Sequence, residues 1–349
     1  MMNRRAFAKL SSLALLAAPA AHTIGQTSVK SVRSAPLRPR KLSPGDTVGM
    51  VLPASMSFEA DEIALARETL EALGMKVVLG KHAYDRYGYL AGKDRDRAAD
   101  INAMFASPDI DGIFAFSGGW GAPRVLPYID YELIRRNPKV FIGFSDITAL
   151  LTAINQKTGL VTFHGPVAHS SFEPFTLESF KRVVMSSQSI GTLSNPPKPE
   201  EQLVRRDYRI VTLTGGKATG TIVGGNLSLI AATMGTPYEI ETEGSIFFIE
   251  DVREELYRVD RMLTQLWLAG KFDRVKGLVF GRCTDCPVKG PSLSLEEILR
   301  ERFLPSGVPA ISGFAFGHIE KKLTIPIGMQ ATLDADAGTL EIAMSAVTD

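Results

Sequence analysis

The chain has 349 residues, of which 45% are hydrophobic and 22% are charged, and its formal net charge is +1. This is the composition of a globular protein that is long enough for two domains. The near-neutral charge and the lack of a basic run with interleaved aromatic residues argue against nucleic-acid binding. Two cysteines in the whole chain exclude a scaffold built on disulfides.

The first residues are typical of a bacterial export signal. Arg4-Arg5 is a twin-arginine pair, an apolar run follows at 10–17, and 18–20 is a small-residue cleavage site. The apolar run is shorter than the roughly 20 residues that span a bilayer. We therefore expect a cleaved signal over 1–26, a periplasmic mature protein without a membrane span, and a linker over 27–41. An uncleaved anchor or a disordered tail is the alternative.

From residue 42 the chain alternates apolar strands with amphipathic helices, which predicts a parallel, doubly wound sheet over residues 42–170. Ligands bind at the carboxyl ends of the strands in such sheets. The predicted strands lie at 47–52, 75–79, 111–116 and 139–143, and the predicted helices at 58–73, 94–105, 125–135 and 147–156.

A less regular stretch separates this half from the next. Residues 171–214 include Asn195-Pro196-Pro197, a strong breaker, and predict an inter-domain linker. A second domain is predicted over 215–349. Its strands are expected at 218–223, 245–249 and 275–280, and its helices at 227–234, 254–268 and 295–303.

One serine lies at a predicted strand-to-helix bend, in Gly143-Phe144-Ser145-Asp146. A serine placed there projects its hydroxyl near the free N–H groups of a helix start, as covalent catalysis requires. Ile147 stands where the G-x-S-x-G motif has its second glycine. Because serine before a helix is also a common N-cap, the motif alone leaves both interpretations open.

A glycine loop follows the predicted strand 111–116. It contains Gly118 and Gly119 but no dinucleotide or P-loop motif, so a phosphate site is only weakly indicated. A plain tight turn is a second alternative. Glycine lets a backbone N–H approach a ligand closely. We predict that the N–H of one of these glycines forms an oxyanion hole with the N–H of Asp146.

A serine nucleophile needs a base and an orienting carboxylate. Of the five histidines, position alone favours His164, at a Gly-Pro turn, and His318, in a loop, about equally. For the carboxylate, Glu250 and Asp251 stand at the carboxyl end of a predicted strand, the same kind of position as that of Ser145. Capping of the predicted helix 254–268 is the alternative role for these acids.

Several short motifs follow one another along the chain, and in this order, over about residues 45–332, they resemble the LD-carboxypeptidase family of serine peptidases, which includes the microcin-immunity peptidases. The motifs are Tyr89-Leu90-Ala91-Gly92, Gly118-Gly119-Trp120-Gly121, Gly143-Phe144-Ser145-Asp146, His164-Gly165-Pro166, Gly224-Gly225-Asn226-Leu227, Gly235-Thr236-Pro237, Glu250-Asp251-Val252, Gly317-His318 and Pro326-Ile327-Gly328.

The resemblance implies an α/β fold: a flavodoxin-like parallel-sheet N-terminal domain and a smaller, swivelling C-terminal α/β domain. It also implies a triad in which Ser145 is the nucleophile, Glu250 the orienting acid and His318 the base, assembled from opposite halves of the chain. Trp120 and Asn226 are expected to bind substrate, and neither a cofactor nor a metal is implied.

The activity implied is hydrolysis of an L,D-peptide bond that releases terminal D-Ala from a murein tetrapeptide stem. The alternatives are a microcin-immunity-type amidase acting on a peptide–nucleotide conjugate and a non-catalytic muropeptide-binding protein. No nucleic acid is expected as a partner, and a homodimer is left open. Ser117 stands where the family often has Arg, so the substrate is less defined than the reaction class.

Cys283 and Cys286 form a single C-x-x-C motif. Without a second pair or a placed histidine, the motif is weak evidence for zinc. A disulfide across so short a span is uncommon in structural roles. We therefore expect two packed thiols.

Overall fold

The fold is described from a computed structural model, for residues 35–57, 59–205, 207–288 and 290–349. The predicted export signal lies outside the described residues. Within the described ranges, no helix combines the length and the apolar character that crossing a bilayer requires.

Strands and helices alternate through most of the chain. The strands are β1 (Thr47–Val51), β2 (Lys76–Leu79), β3 (Gly112–Ala115), β4 (Val140–Gly143), β5 (Thr162–His164), β6 (Gly191–Leu193), β7 (Val211–Thr214), β8 (Lys217–Asn226), β9 (Ser245–Val252), β10 (Gly277–Thr284), β11 (Ala310–Ser312), β12 (Ile325–Ile327), β13 (Gln330–Asp334) and β14 (Thr339–Ile342). The α-helices are α1 (Ala60–Ala72), α2 (Asp94–Ala106), α3 (Tyr131–Arg136), α4 (Thr148–Thr158), α5 (Pro174–Val184), α6 (Leu227–Ala232), α7 (Leu256–Leu268) and α8 (Leu295–Phe303).

The first sheet has six strands in the order β12-β5-β4-β3-β1-β2. Strands β1 to β5 are parallel, and β12 pairs antiparallel with β5 at the edge. Every residue of β3 and β4 is buried. Continuous burial is expected of parallel strands that are covered by helices on both faces, and it explains why these strands are uninterrupted apolar runs in the sequence.

The stretch predicted as a linker contains a helix. Glu173 caps α5 by accepting the backbone N–H groups of Phe175 and Thr176, and Pro174 occupies the first helical position, where its missing N–H costs nothing. The helix buries Phe180 and neighbouring residues in the core of the first sheet. Helix α5 therefore belongs to the half of the chain that carries the first sheet, whereas β6 and β7 of the same stretch pair within the second sheet.

The second sheet has eight strands in the order β6-β14-β13-β8-β9-β10-β11-β7. Its centre, β8-β9-β10-β11, is parallel, and the outer pairings are antiparallel. A separate apolar cluster packs α6, α7 and α8 against this sheet. The predicted α/β class, with a parallel-sheet half followed by a second α/β half, is confirmed.

The chain crosses between the two sheets near its end. Strand β12 lies within the range predicted for the second domain but pairs with β5 of the first sheet. The strands before and after it, β11 and β13, belong to the second sheet. The domain boundaries themselves stay a prediction. The crossing holds the loop between β11 and β12, which carries His318, against both sheets.

Candidate active site

Ser145 lies at a sharp turn between β4 and α4. Its φ is +64°, in the left-handed region, which costs a non-glycine residue about 1–2 kcal/mol. A Cβ on Gly143 would lie 2.8 Å from the Ile147 side chain, so only glycine allows the chain to turn back this tightly. Strain of this kind at the carboxyl end of a strand is the arrangement that presents a serine hydroxyl to a ligand.

The structure brings the three predicted catalytic side chains into one hydrogen-bonded series. The Nε2 atom of His318 is 2.8 Å from the Oγ of Ser145, and its Nδ1 is 2.7 Å from Oε2 of Glu250. Ser145 follows a strand of the first sheet, whereas Glu250 lies on β9 of the second. The site is therefore assembled from both sheets, as the resemblance implies.

Burial and hydrogen bonding act in opposite directions on Glu250, which is 0% exposed. Burial raises the pKa of this carboxyl, but the hydrogen bond and charge of His318, aided by His164 and Asn226, outweigh it and place the pKa below its ordinary value. The carboxylate accepts the Nδ1–H of His318. The Nε2 atom is then the free acceptor for the hydroxyl proton of Ser145.

Gly317 allows the histidine loop to approach Glu250. Its φ is +93°, and a Cβ at this position would lie 2.3 Å from the Glu250 Oε2 atom. A side chain at Gly317 would therefore displace the carboxylate that His318 contacts. The glycine that precedes the histidine in the sequence is explained by this close approach.

His164 is the other positional candidate for the base. Both of its ring nitrogens are buried, and neither has a hydrogen-bond partner among the residues that the structure describes. Its ring packs edge-on against Phe144, Phe248 and Phe316. Burial lowers its pKa to about 4, so the ring is neutral at physiological pH. The structure thus places His318, and not His164, on Ser145.

The two candidate glycines of the oxyanion hole differ in their surroundings. A Cβ on Gly118 would lie 3.0 Å from the Ser145 Oγ and 3.3 Å from the Asp146 backbone nitrogen. A Cβ on Gly119 would instead meet the side chain of Ser55. Of the two, Gly118 therefore lines the space beside the Ser145 hydroxyl. Which of their N–H groups serves as a donor stays a prediction.

The side chain of Asp146 ties the serine turn to the glycine loop. Its Oδ2 accepts the backbone N–H of Ala122 at 2.6 Å. Arg97, which is also buried, donates to the carbonyl of Gly121 at 3.0 Å and supports the loop from the same side. Burial raises the pKa of Asp146 to about 6. These contacts fix the position of the glycine loop, with Gly118, relative to Ser145.

Asn226 lies behind the triad and not on its open side. It is buried, and its Nδ2 donates to Glu250 at 3.3 Å and to Asp251 at 3.0 Å. Asp251 also accepts the backbone N–H and the hydroxyl of Ser228. This network fixes the Glu250 carboxylate and the start of α6, whereas the sequence offered capping of α7 as the alternative role for these acids. A substrate contact of Asn226 stays a prediction.

Trp120 has the exposure that a substrate-binding side chain needs, since it is 62% exposed in the glycine loop.

Lys322, which no sequence motif indicates as a site residue, is buried four residues after His318. The feature of the sequence that could have indicated it is a lysine at the end of the loop between β11 and β12, just before the apolar residues of β12. Its side chain stacks on the ring of Phe144, the residue before Ser145.

The prediction of two packed thiols is wrong, because a disulfide joins Cys283 and Cys286. Strand β10 ends at Thr284, and Asp285 adopts a φ of +52°, which turns the chain at once. The turn brings the two Cα atoms to 5.6 Å, inside the usual range for disulfides. Short spacing alone does not prevent the bond when the backbone turns between the two residues.

Among the described residues, one group of side chains has ligand atoms within 4.8 Å of one another, as a metal site requires. It consists of His82, Asp85 and Asp96, in the loop after β2 and the first turn of α2. None of the three belongs to the Ser145 site.

A strained serine at a strand–helix turn, in contact with a histidine that is held by a buried carboxylate, defines a serine hydrolase. Models of the LD-carboxypeptidase N-terminal and C-terminal domains match residues 48–165 and 219–333. The chain therefore belongs to the LD-carboxypeptidase family and is a serine-type carboxypeptidase, as the sequence motifs implied.

The relatives and the solved structures are similar to this chain over 87–90% of its length. A probable murein peptide carboxypeptidase of Bacillus subtilis (strain 168) is 40% identical over 90% of this chain and 97% of its own length. The microcin C7 self-immunity protein MccF of Escherichia coli is 32% identical over 89% of this chain and 97% of its own.

A structure of microcin C7 self-immunity protein MccF superimposes with a TM-score of 0.81 at 31% identity, covering 90% of this chain and 100% of that one. The muramoyltetrapeptide carboxypeptidase of Oxalobacter formigenes gives a TM-score of 0.73 at 26% identity, covering 87% and 100%.

Proposed function

We propose that this enzyme hydrolyses the L,D-peptide bond before the last residue of a murein tetrapeptide stem and releases a terminal D-amino acid, D-Ala. The observation that carries the proposal is the hydrogen-bonded series from Ser145 through His318 to Glu250. The names of the Bacillus subtilis and Oxalobacter formigenes relatives support the murein substrate.

In this mechanism His318 accepts the hydroxyl proton as Ser145 attacks the carbonyl carbon before the terminal D-residue. Glu250 holds the imidazole in the tautomer that leaves Nε2 free and stabilises the imidazolium that forms. The N–H of Asp146 and one N–H of the glycine loop stabilise the tetrahedral oxyanion. His318 then protonates the leaving amine, and water, deprotonated by the same imidazole, hydrolyses the acyl-enzyme.

A panel of synthetic stems tests the substrate. We expect release of the terminal residue from L-Ala-γ-D-Glu-diaminopimelate-D-Ala at least ~100-fold faster than from the same stem ending in L-Ala, because the inverted centre misplaces the scissile bond. Mass spectrometry of the free amino acid measures both rates. Equal rates on the two stems, or no release from either, would contradict the proposal.

A microcin-immunity-type amidase is the second candidate. It is favoured by the exposed ring of Trp120, which is free to stack on a nucleobase, and by the likeness to MccF, whose structures include a complex with aspartyl sulfamoyl adenosine. Running that conjugate beside the tetrapeptide in the same assay decides between them. A non-catalytic binding protein is disfavoured because it has no need of the complete hydrogen-bonded triad.

We further propose that the enzyme acts in the periplasm after twin-arginine export. The support is the Arg4-Arg5 pair with the apolar run at 10–17, together with the Cys283–Cys286 disulfide, since disulfides persist mainly in oxidising compartments.

Cell fractionation tests the location. We expect the periplasmic fraction to contain a protein shortened near residue 20, and a double variant with Arg4→Lys and Arg5→Lys to stay in the cytoplasm at full length. Mass measurement of the N-terminal peptide identifies the cleavage point. A full-length cytoplasmic protein in both cases would overturn the proposed location.

A further inference from the structure

A buried lysine lies beside the reacting side chains. The ammonium of Lys322 is 4.4 Å from the centre of the Phe144 ring, and that ring packs edge-on against the imidazole of His318 with 4.9 Å between centroids. Phe144 immediately precedes Ser145. The same aromatic ring therefore contacts both a positive charge and the histidine of the triad.

Among the described residues, no carboxylate forms an ion pair with Lys322. Within the described part of the chain, the ammonium of Lys322 makes neither a hydrogen bond nor an ion pair within 4.0 Å, although the residue is only 9% exposed. Glu250 and Glu173 attract it from a longer distance. Both are engaged, Glu250 with His318 and Glu173 with the N-terminus of α5.

An ammonium that is taken out of water without a partner destabilises a fold. A buried lysine without a partner is explained if a negatively charged group of a bound ligand pairs with its ammonium. The Lys322 ammonium is not among the unpartnered polar atoms that are sealed from solvent in the described residues. It thus keeps contact with the solvent that a substrate would displace, and it is available to an incoming anion.

We propose that Lys322 binds the terminal carboxylate of the substrate. The inference rests on the proposed function, because the substrate of a carboxypeptidase always ends in a free carboxylate. That carboxylate is attached to the first carbon after the scissile nitrogen, so its atoms lie roughly 3–5 Å from the carbonyl carbon that Ser145 attacks. The Lys322 ammonium lies over the ring of Phe144, the residue before Ser145, and it is the counter-charge that we assign to this carboxylate.

A pair of substrates isolates the contact. The stem ending in D-Ala is compared with the same stem ending in D-alaninamide, which keeps the shape and loses the negative charge. For Lys322→Met we expect kcat/KM on the carboxylate stem to fall roughly 10- to 150-fold, the range of a charge-assisted hydrogen bond. On the amide stem we expect a change of less than about 3-fold. The matched control is Lys321→Met, which removes the same charge one residue earlier.

The results separate three cases. Loss confined to the carboxylate stem supports the inference. Equal loss on both stems shows that Lys322 acts only by positioning Phe144 and His318, and it overturns the inference while the proposed function stands. If the wild-type enzyme releases no D-Ala, the proposed function fails first, and the inference falls with it.

The pH dependence of the wild-type enzyme gives a second measurement that needs no variant. Burial lowers the pKa of Lys322 to about 8, against the opposing charges of Glu250 and Glu173, with His164 and His318 also nearby. Because kcat/KM reports ionisations of the free enzyme, the ratio of kcat/KM for the carboxylate stem to that for the amide stem should fall as pH rises through about 8. A ratio that stays constant from pH 7 to 9.5 contradicts the inference. Both stems carry the same N-terminal amine, so its titration cancels.

Discussion

Replacing Ser145 or His318 with alanine is expected to lower kcat for D-Ala release by roughly four to six orders of magnitude. The Ser145 hydroxyl and the His318 imidazole are in hydrogen-bond contact and act in one step. The double variant should therefore be no slower than either single variant by more than about 10-fold. Steady-state kinetics on the tetrapeptide stem measures all three.

The rate that remains in the alanine variants reports the contribution of the backbone to catalysis. The backbone of the glycine loop and the turn at Ser145 remain in both variants, so a rate above that of water is expected. His82→Ala, in the loop after β2, is the control and should retain wild-type kcat within about 3-fold. Losses that multiply in the double variant would show that the two side chains do not act together.

Gly118→Ala is expected to lower kcat by about 100- to 1,000-fold, a loss as large as that caused by removing an oxyanion donor. Its added Cβ would lie 2.8 Å from the Cβ of Ser145 and 3.0 Å from the Oγ, so the methyl group occupies the space that the tetrahedral oxygen needs. The backbone of Gly118 is not in the left-handed region, so alanine fits its φ. Kinetics together with thermal unfolding measures the effect.

The matched control is Gly215→Ala, which adds the same methyl group on the loop before β8. There the new Cβ meets the carboxylate end of Asp336, an exposed side chain that can move aside. We expect wild-type kcat for this variant. A Gly118→Ala enzyme with wild-type kcat and an unchanged melting temperature would show that the glycine loop does not surround the oxyanion.

The local parts of the fold and site are predictable because they depend on neighbours in the sequence. The uninterrupted apolar run of β4, Gly143 and the amphipathic start of α4 together predict the turn that carries Ser145. The alternation of such units predicts a parallel sheet, and with it the sheet edge at which the glycine loop meets the serine. Glu250 lies on β9 of the second sheet, so its contact with His318 depends on how the two sheets pack.

The position of a residue in the sequence does not show which tertiary contacts its side chain makes. His164 and His318 are equal candidates along the chain, and only the packed structure shows that one lies in an aromatic cage and the other on Ser145. The family motifs resolved this choice because they encode the outcome of packing. Motifs did not help at Cys283 and Cys286, where a single left-handed residue between them permits the disulfide.

The segment before the second sheet shows a different limit. Its proline-rich breaker around residue 196 suggested an irregular crossing for the whole of 171–214. The start signals of α5 are local, Glu173 followed by Pro174, and that composition masks them. Lys322 cannot be identified from the sequence for a related reason, because the burial of a charge and its distance from other charges depend on the side chains packed around it.

In the proposed mechanism the Ser145 oxygen becomes covalently attached to the acyl group of the substrate. The direct measurement is to mix enzyme with the tetrapeptide stem, quench with acid within one turnover, digest, and weigh the peptide that contains Ser145. We predict a mass increase equal to the mass of the free tripeptide L-Ala-γ-D-Glu-diaminopimelate minus that of one water. The increase should be absent from Ser145→Ala. An adduct on another residue, or an undiminished rate of D-Ala release by Ser145→Ala, would contradict the mechanism.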